Sequence, residues 1–419
     1  MELSIIVPTL NEAKNLRHLL PMLRKVTEEI LPPESYEIVV VDADSRDGTH
    51  DVATQNGARV VNVGKGYGVA LAAGISASRG SYILTMDADL SHSPYIVPIL
   101  YAHRHEAEVL IASRYIERGF NNSNPIRAAL SRLLNLTYRI VLDLPFRDLS
   151  SGFRLYDRRI FDEVQPTARN YVVLQEILMK AYAQGFRIKE VPFHYSPRKF
   201  GTSKSRLLVF GKEYLLNLFK FWKLRNSIDC ADYDERAFNS RIWLQKYWQR
   251  KRYRIIMDYA RDFGSILDVG CGSSLILDGL PQSVGCDVRL NKLRYKRAPY
   301  RRLLQGSVFR LPFRDGAFEA TVFSQVIEHL PRDPVILDEI VRVTQPGGCV
   351  IVGTPDYATH WTIIEKIYGW VHPTGYADEH ITHYTLKSLR RELEDRGCRY
   401  ADHKYVLGAE LIMKFMKGA

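Results

Sequence analysis

The sequence predicts an α/β protein of two domains, each built around a wound sheet. Three observations carry this. At 419 residues the chain exceeds the roughly 100–200 residues that fill one domain. In the first half, short apolar runs ending in acidic turns alternate with segments of helical spacing, the rhythm of a doubly wound sheet. After a polar, basic stretch the pattern starts again at Ser265-Ile-Leu-Asp-Val-Gly-Cys-Gly272.

Composition bounds the answer further. With 46% hydrophobic and 25% charged residues the chain reads as a folded protein rather than a disordered one. Cys230, Cys271, Cys286, Cys349 and Cys398 have no paired ligand spacing, which argues for reduced thiols and against a disulfide frame. No basic leader and apolar core follow Met1, and no segment offers 18 uncharged apolar residues. The cytoplasm is therefore the expected compartment. The net charge of +11 points to an anionic partner, and residues 198–254 hold 15 Lys/Arg against 5 Asp/Glu.

Leu3–Val7 reads as a buried strand broken at Pro8, and Leu16, Leu19, Leu20 and Leu23 then mark a helix. A second strand ends in Asp42-Ala-Asp-Ser45. Gly57–Val63 gives a third, and Gly64-Lys-Gly-Tyr-Gly68 leads into a small-residue helix. These glycines lack the spacing of a phosphate loop and read as close packing with room for a base. Ile83-Leu-Thr-Met-Asp87-Ala88-Asp89 brings two carboxylates to a strand end, where open α/β sheets keep ligands and where hard oxygens suit a divalent ion. Asp-x-Asp also arises in turns, so the pair gains weight only from its neighbours.

Those neighbours are Ser4-Ile-Ile-Val-Pro-Thr-Leu-Asn-Glu12, Val41-Asp-Ala-Asp-Ser-Arg-Asp-Gly-Thr49, Met86–Leu90, Asp148-Leu-Ser-Ser-Gly-Phe-Arg154 and Arg198-Lys-Phe-Gly-Thr-Ser-Lys204. In that order they resemble the family 2 glycosyltransferases of GT-A fold, in the dolichyl- or polyprenyl-phosphate mannosyltransferase branch, over about residues 1–225. The resemblance implies a nucleotide-sugar pocket at Pro8, Leu10, Glu12, Asp42 and Ala88. It implies Mg²⁺ or Mn²⁺ on Asp87 and Asp89, a donor-side arginine at Arg114, and a basic pair, Arg198 and Lys204, closing over the diphosphate. Asp89, Arg114, Asp148, Arg198 and Lys204 are the implied catalytic set. The implied acceptor is a polyprenyl or dolichyl phosphate, anchored by Arg127, Ser131 and Arg132 on an amphipathic helix. A lipid phosphate is already anionic, whereas a hydroxyl acceptor would need a base, and Asp148 is then the residue that matters. Transfer from a UDP-sugar to an envelope glycan or glycolipid hydroxyl is the alternative, with the second half a cofactor-binding regulatory module.

Leu207–Arg225 has a wide apolar face and a narrow basic one, as a helix lying in a membrane interface has, so a peripheral position on the cytoplasmic membrane face is expected. A core helix explains the same pattern. Residues 226–245 read as a linker. The basic aromatic run Arg241–Arg254 looks superficially like a nucleic-acid segment, but no nucleic-acid module surrounds it, and amphipathicity ahead of a new domain accounts for it.

In the second half, Asp268-Val-Gly270-Cys-Gly272 lacks the third glycine of a dinucleotide fold. With Leu311-Pro-Phe313, Phe318–His329 and Val343–Val352 it resembles the class I S-adenosylmethionine-dependent methyltransferases, whose Rossmann-like sheet would span residues 246–419. The resemblance implies that Asp268, Gly270 and Gly272 line the methionine end of S-adenosyl-L-methionine and that Asp287 holds its ribose. Ser307 stands where relatives carry an acid for the adenine amine, and Val308 offers its backbone N–H. Glu328, His329, Tyr376 and His380 would face the methyl acceptor. Three nearby histidines also suggest a metal, but without a second acidic cluster the acceptor reading is preferred.

Overall fold

The computed structural model describes residues 1–197, 211–299, 301–371 and 380–419, without the side chains of 211–212 and 367–371. The chain forms two compact units: Met1–Tyr182 with Phe186–Arg225, and Asn226–Ala419 with Ala183–Gly185.

In the first unit the strands are β1 (Leu3–Thr9), β2 (Tyr36–Asp42), β3 (Arg59–Asn62), β4 (Tyr82–Thr85), β5 (Val109–Ser113), β6 (Phe120–Asn121), β7 (Arg154–Asp157), β8 (Ile188–Pro192) and β9 (His194–Tyr195). Seven of them form a mixed sheet in the order β3-β2-β1-β4-β7-β5-β8. β1, β2, β3 and β4 run parallel, whereas β7 is antiparallel to both β4 and β5. β7 therefore starts at the edge where its neighbours end, so the loop before it, Asp148–Gly152, arrives beside the ends of β4 and β5.

The helices of this unit are α1 (Ala13–Glu28), α2 (Thr49–Gln55), α3 (Tyr67–Ala77), α4 (Val97–Ala102), α5 (Pro125–Leu142), α6 (Val173–Ala183) and α7 (Gly211–Asn226). Side chains alternate across β1: Leu3, Ile5 and Val7 pack into one core with α1 and α4, and Ile6 into another with α3 and α6. The small residues of α3 let it press on the sheet. A Cβ at Gly74 would lie 2.5 Å from the Ile6 side chain, so close packing explains that glycine. Arg225 is buried at the end of α7, where its Nε donates to the Leu142 carbonyl (2.8 Å) and closes the open end of α5.

The second unit opens with α8 (Tyr233–Phe238) and α9 (Trp243–Ala260). The stretch 226–245 expected as a linker is thus largely part of this unit, because Ile228, Cys230, Ala231, Tyr233 and Ala237 are buried among its polar residues. The strands are β10 (Ile266–Val269), β11 (Val284–Asp287), β12 (Arg302–Gln305), β13 (Phe318–Ser324), β14 (Thr344–Pro355), β15 (Cys398–Val406) and β16 (Glu410–Lys417). The sheet order is β12-β11-β10-β13-β14-β16-β15, parallel from β12 to β14 and antiparallel at β16. The remaining helices are α10 (Ile276–Gly279), α11 (Leu290–Lys296), α12 (Pro334–Val343), α13 (Trp361–Val371) and α14 (Leu386–Glu394).

Ile255, Ile256 and Tyr259 of α9 enter the core of this unit, and Arg252 is bidentate on the buried Glu410. Within the basic, aromatic run Arg252 is thus held in an internal ion pair, whereas Trp243 and Tyr247 are exposed. All five cysteines are buried free thiols. Among the described residues no helix is long and apolar enough to cross a membrane.

Candidate active sites

Parallel register builds the first site. Thr9 pairs with Asp42 and Ile6 with Thr85, so Pro8, Asp42 and Asp87 leave the sheet at one edge. Asp42 accepts from the Ser45 hydroxyl, whose oxygen accepts in turn from Asn11 N at 2.8 Å. Glu12 accepts from Asn15 at 2.5 Å, and Leu10 and Ala88 stand at the same edge.

After β4 the two acids part company. Asp89 is buried and accepts from Ser91 N (3.0 Å) and Oγ (2.5 Å), while the Asp87 side chain is 37% exposed. Tyr67 donates to Asp87 over 3.4 Å and stacks on Tyr171. His92 accepts from Asp87 N at 2.9 Å through Nδ1, which leaves the proton on Nε2, 3.8 Å from the carboxylate. Two carboxylates on one short loop, one of them open to solvent, form an oxygen donor set that fits a hard divalent cation.

Arg114 follows β5. Its Nε donates to Asp148 Oδ2 and its Nη2 to Oδ1, each at 2.8 Å, and Nη2 also reaches Ser150 Oγ at 2.7 Å. Asp148 is fully buried and accepts further from Arg114 N and Ser151 N. Burial alone would raise its pKa, but the guanidinium outweighs this and holds the carboxyl below its usual range. Asp148 is therefore the counter-ion that fixes Arg114.

The same cluster reaches the expected acceptor helix. Ser131 Oγ lies 3.3 Å from Ser150 Oγ and accepts from Tyr115 at 2.8 Å, while Asn135 donates to Ser150 (3.0 Å) and accepts from Leu149 N. Arg127, Ser131 and Asn135 are four residues apart and share one face of α5. Arg132 does not join them. It is exposed, because each helical step turns the side chain by about 100°. Arg198, Lys204 and Tyr376 lie outside the described residues.

In the second unit Asp268 is the penultimate residue of β10 and Asp287 ends β11. Gly270 (φ +69°) turns the chain, and a Cβ there would lie 2.3 Å from the Val326 side chain, so glycine is required on both counts. Gly272 N donates to Asp287 Oδ2 at 2.7 Å, leaving the carboxylate capacity for a hydroxyl donor. Asp268 Oδ2 has no hydrogen-bond partner, and burial, then the nearby Asp287, push this carboxyl up to about 8. An orphaned buried acid above a glycine turn fits a cationic, hydroxyl-bearing ligand. Ser307 is exposed and Val308 buried. Glu328 is fully buried, which pushes its carboxyl up to about 8, and Glu328, His329 and His380 converge.

Comparison with known proteins agrees with both halves. The family model for glycosyl transferase family 2 matches residues 4–165, and a methyltransferase-domain model matches residues 267–352. The chain carries a family 2 glycosyltransferase domain and a methyltransferase domain. A dolichol-phosphate mannosyltransferase of Pyrococcus furiosus is 31% identical over 240 residues, covering 55% of this chain and 66% of that protein. A polyprenol monophosphomannose synthase of Mycolicibacterium smegmatis is 29% identical over 245 residues, covering 54% of this chain and 89% of its own length. Among solved structures, glucosyl-3-phosphoglycerate synthase from Mycobacterium tuberculosis aligns at 20% identity with a TM-score of 0.44, over 52% of this chain and 78% of that one.

Sequence reasoning missed several residues of both domains. In the glycosyltransferase domain, Tyr67 and His92 flank Asp87, and Ser150 and Asn135 join Arg114 to α5. Tyr67 carried a signal as the one aromatic in a glycine run and Ser150 lay inside the Asp148–Arg154 motif, whereas His92 and Asn135 carried none. In the methyltransferase domain, Asp234 of α8 accepts from Ser273 N (2.9 Å) and from the Lys292 ammonium (2.8 Å), clamping the glycine turn. Burial would raise this carboxyl, yet Lys292 and Ser273 hold it at about 2.

Proposed function

We propose that the glycosyltransferase domain moves a hexose, mannose from GDP-mannose, onto a polyprenyl phosphate with inversion, and that the methyltransferase domain transfers a methyl group from S-adenosyl-L-methionine. The observation that carries the first reading is the locked Arg114–Asp148 pair. A carboxylate held by a guanidinium and three backbone amides is a poor proton acceptor, so the site suits a nucleophile that needs none. A phosphate monoester is such a nucleophile near neutral pH.

In this mechanism Pro8, Leu10, Glu12 and Asp42 hold the nucleoside, and Asp87 and Asp89 the metal. When bound, Mg²⁺ or Mn²⁺ neutralises charge on the departing diphosphate. Arg114, expected on the donor side but joined through Ser150 to Ser131, acts with Ser131 and Arg127 to orient the lipid phosphate. Its oxygen forms a bond to the anomeric carbon as the carbon–oxygen bond to the nucleoside diphosphate breaks, and no proton changes hands. The resemblance assigns Arg198 and Lys204 to the diphosphate.

The lipid requires a membrane surface, and two helices offer one. Leu215, Leu216 and Phe219 of α7 are exposed, and on α5 Ile126, Leu133 and Ile140 recur every seventh residue, also exposed. Tyr138 of α5 donates to the Tyr214 carbonyl of α7 at 2.7 Å, so the helices form one support. Lys220 and Lys223 beside the apolar face favour anionic lipid.

Incubation with polyprenyl phosphate and a panel of radiolabelled sugar nucleotides tests the first activity. Label from GDP-mannose is expected in the lipid, and label from UDP-sugars instead would overturn the donor. For the second half, calorimetry on the whole protein should show S-adenosyl-L-methionine binding; no heat at high concentration would rule out methyl transfer.

A further inference from the structure

We propose that Glu328, His329 and His380 form a divalent-metal site in the second unit, of the two-histidine, one-carboxylate type. One ligand atom from each lies within 4.8 Å of the others. This donor set suits a borderline cation, Zn²⁺ before others, and three protein ligands leave a position open.

The fold builds this cluster rather than merely permitting it. β13 ends at Ser324, Gln325 turns with φ +61°, and Ile327–His329 forms a 3₁₀ turn. The Glu328 carbonyl accepts from Ile381 N (2.8 Å) and Thr382 N (3.1 Å), which pins His380 beside it. The His329 and His380 rings stand 4.9 Å apart.

Two further observations point to a cation. Glu328 is 0% exposed, and neither of its carboxylate oxygens has a hydrogen-bond partner. A buried carboxylate without donors is costly unless a positive charge meets it. In addition, His380 Nδ1 lies 2.5 Å from Glu365 Oε1, and Tyr357 donates to the same oxygen at 2.8 Å. An Nδ1–H held by a carboxylate fixes the tautomer and leaves the lone pair on Nε2, the outer-shell arrangement that accompanies metal-binding histidines.

The substrate class follows, and this step rests on the methyl-transfer reading above. The open position would take the hydroxyl oxygen of the methyl acceptor and make it more acidic. The oxygen–methyl bond would form as the sulfonium carbon–sulfur bond breaks, with the hydroxyl proton passing to water. Val326, two residues before Glu328, packs on Gly270, so the cluster stands next to the glycine turn assigned to the methyl donor.

The test is Zn²⁺ titration of the chelator-treated whole protein against a chromophoric competitor, in an Asp87→Asn/Asp89→Asn background that removes the other acid pair. One tight Zn²⁺ per chain is expected. His329→Ala, at a half-exposed position, and His380→Ala should each weaken it at least about tenfold, and Glu365→Gln by roughly 10–100-fold. Zn²⁺ bound equally by the parent and both histidine variants would overturn the site. S-adenosyl-L-methionine affinity measured on the same samples separates the two readings. Loss of Zn²⁺ binding with donor binding intact sinks the metal alone; Zn²⁺ binding without donor binding keeps the metal and sinks the methyl-transfer step.

Discussion

Arg114 and Asp148 meet in a bidentate pair, with both nitrogen–oxygen contacts at 2.8 Å and the carboxylate wholly buried. Breaking a buried pair leaves a charge unmatched, which costs about 3–5 kcal/mol. Asp148→Asn should therefore destabilise the first unit by about 3 kcal/mol in denaturant titration. Its effect on transfer should fall on KM for the lipid, because Arg114 loses its orientation. The pH–rate profile should keep its shape; a lost limb would mean that Asp148 acts as a base.

Asp89→Asn should abolish metal-dependent sugar transfer, since it removes the charge of the buried acid after β4, while S-adenosyl-L-methionine affinity stays unchanged. Parallel transfer assays and calorimetry check both halves, and surviving turnover would contradict the metal assignment.

Asp234 predicts an acid-sensitive contribution in the second unit. Its folded pKa, about 2, lies below the value of roughly 3.9 for a free aspartate. A depressed carboxyl contributes stability that is full above the unfolded value and is lost as pH falls through the folded one. The contribution, on the order of 2 kcal/mol, should fade between about pH 4 and pH 2. Asp234→Asn should remove that part of the acid dependence in unfolding curves taken across the window. An unchanged slope would refute the Lys292 clamp.

The exposed faces of α5 and α7 predict co-sedimentation with anionic vesicles. Lys220→Gln/Lys223→Gln should lose about 1 kcal/mol per charge, roughly thirtyfold in all, and salt should mimic it. Binding that ignores both salt and these lysines would leave the electrostatic part without support.

The strands that carry Asp42, Asp87, Asp268 and Asp287 at or near their ends were legible because an apolar run with an acid at its end is written locally in the chain. The fold class followed from the same rhythm. The role of Asp148 was not legible, since it depends on β7 entering between β4 and β5 in the opposite direction, a pairing that no local pattern encodes. The exposed position of Arg132 depends on the phase at which α5 packs. Asp234 hid in a stretch whose polar residues masked the buried Ile228, Cys230 and Tyr233. Glu328, His329 and His380 were grouped through the resemblance alone; their convergence depends on the Glu328 carbonyl accepting from the 381 and 382 amides. Local composition carries elements and strand-end chemistry; partners set by long-range pairing need the fold.

The central claim is that the glycosyl acceptor is already an anion, so that Arg114 and its cluster replace a base. A single competition assay, offering polyprenyl phosphate and the matching polyprenol in equal amount with radiolabelled GDP-mannose, tests it most directly. Label confined to the phosphate is the predicted result. Label in the alcohol would contradict it.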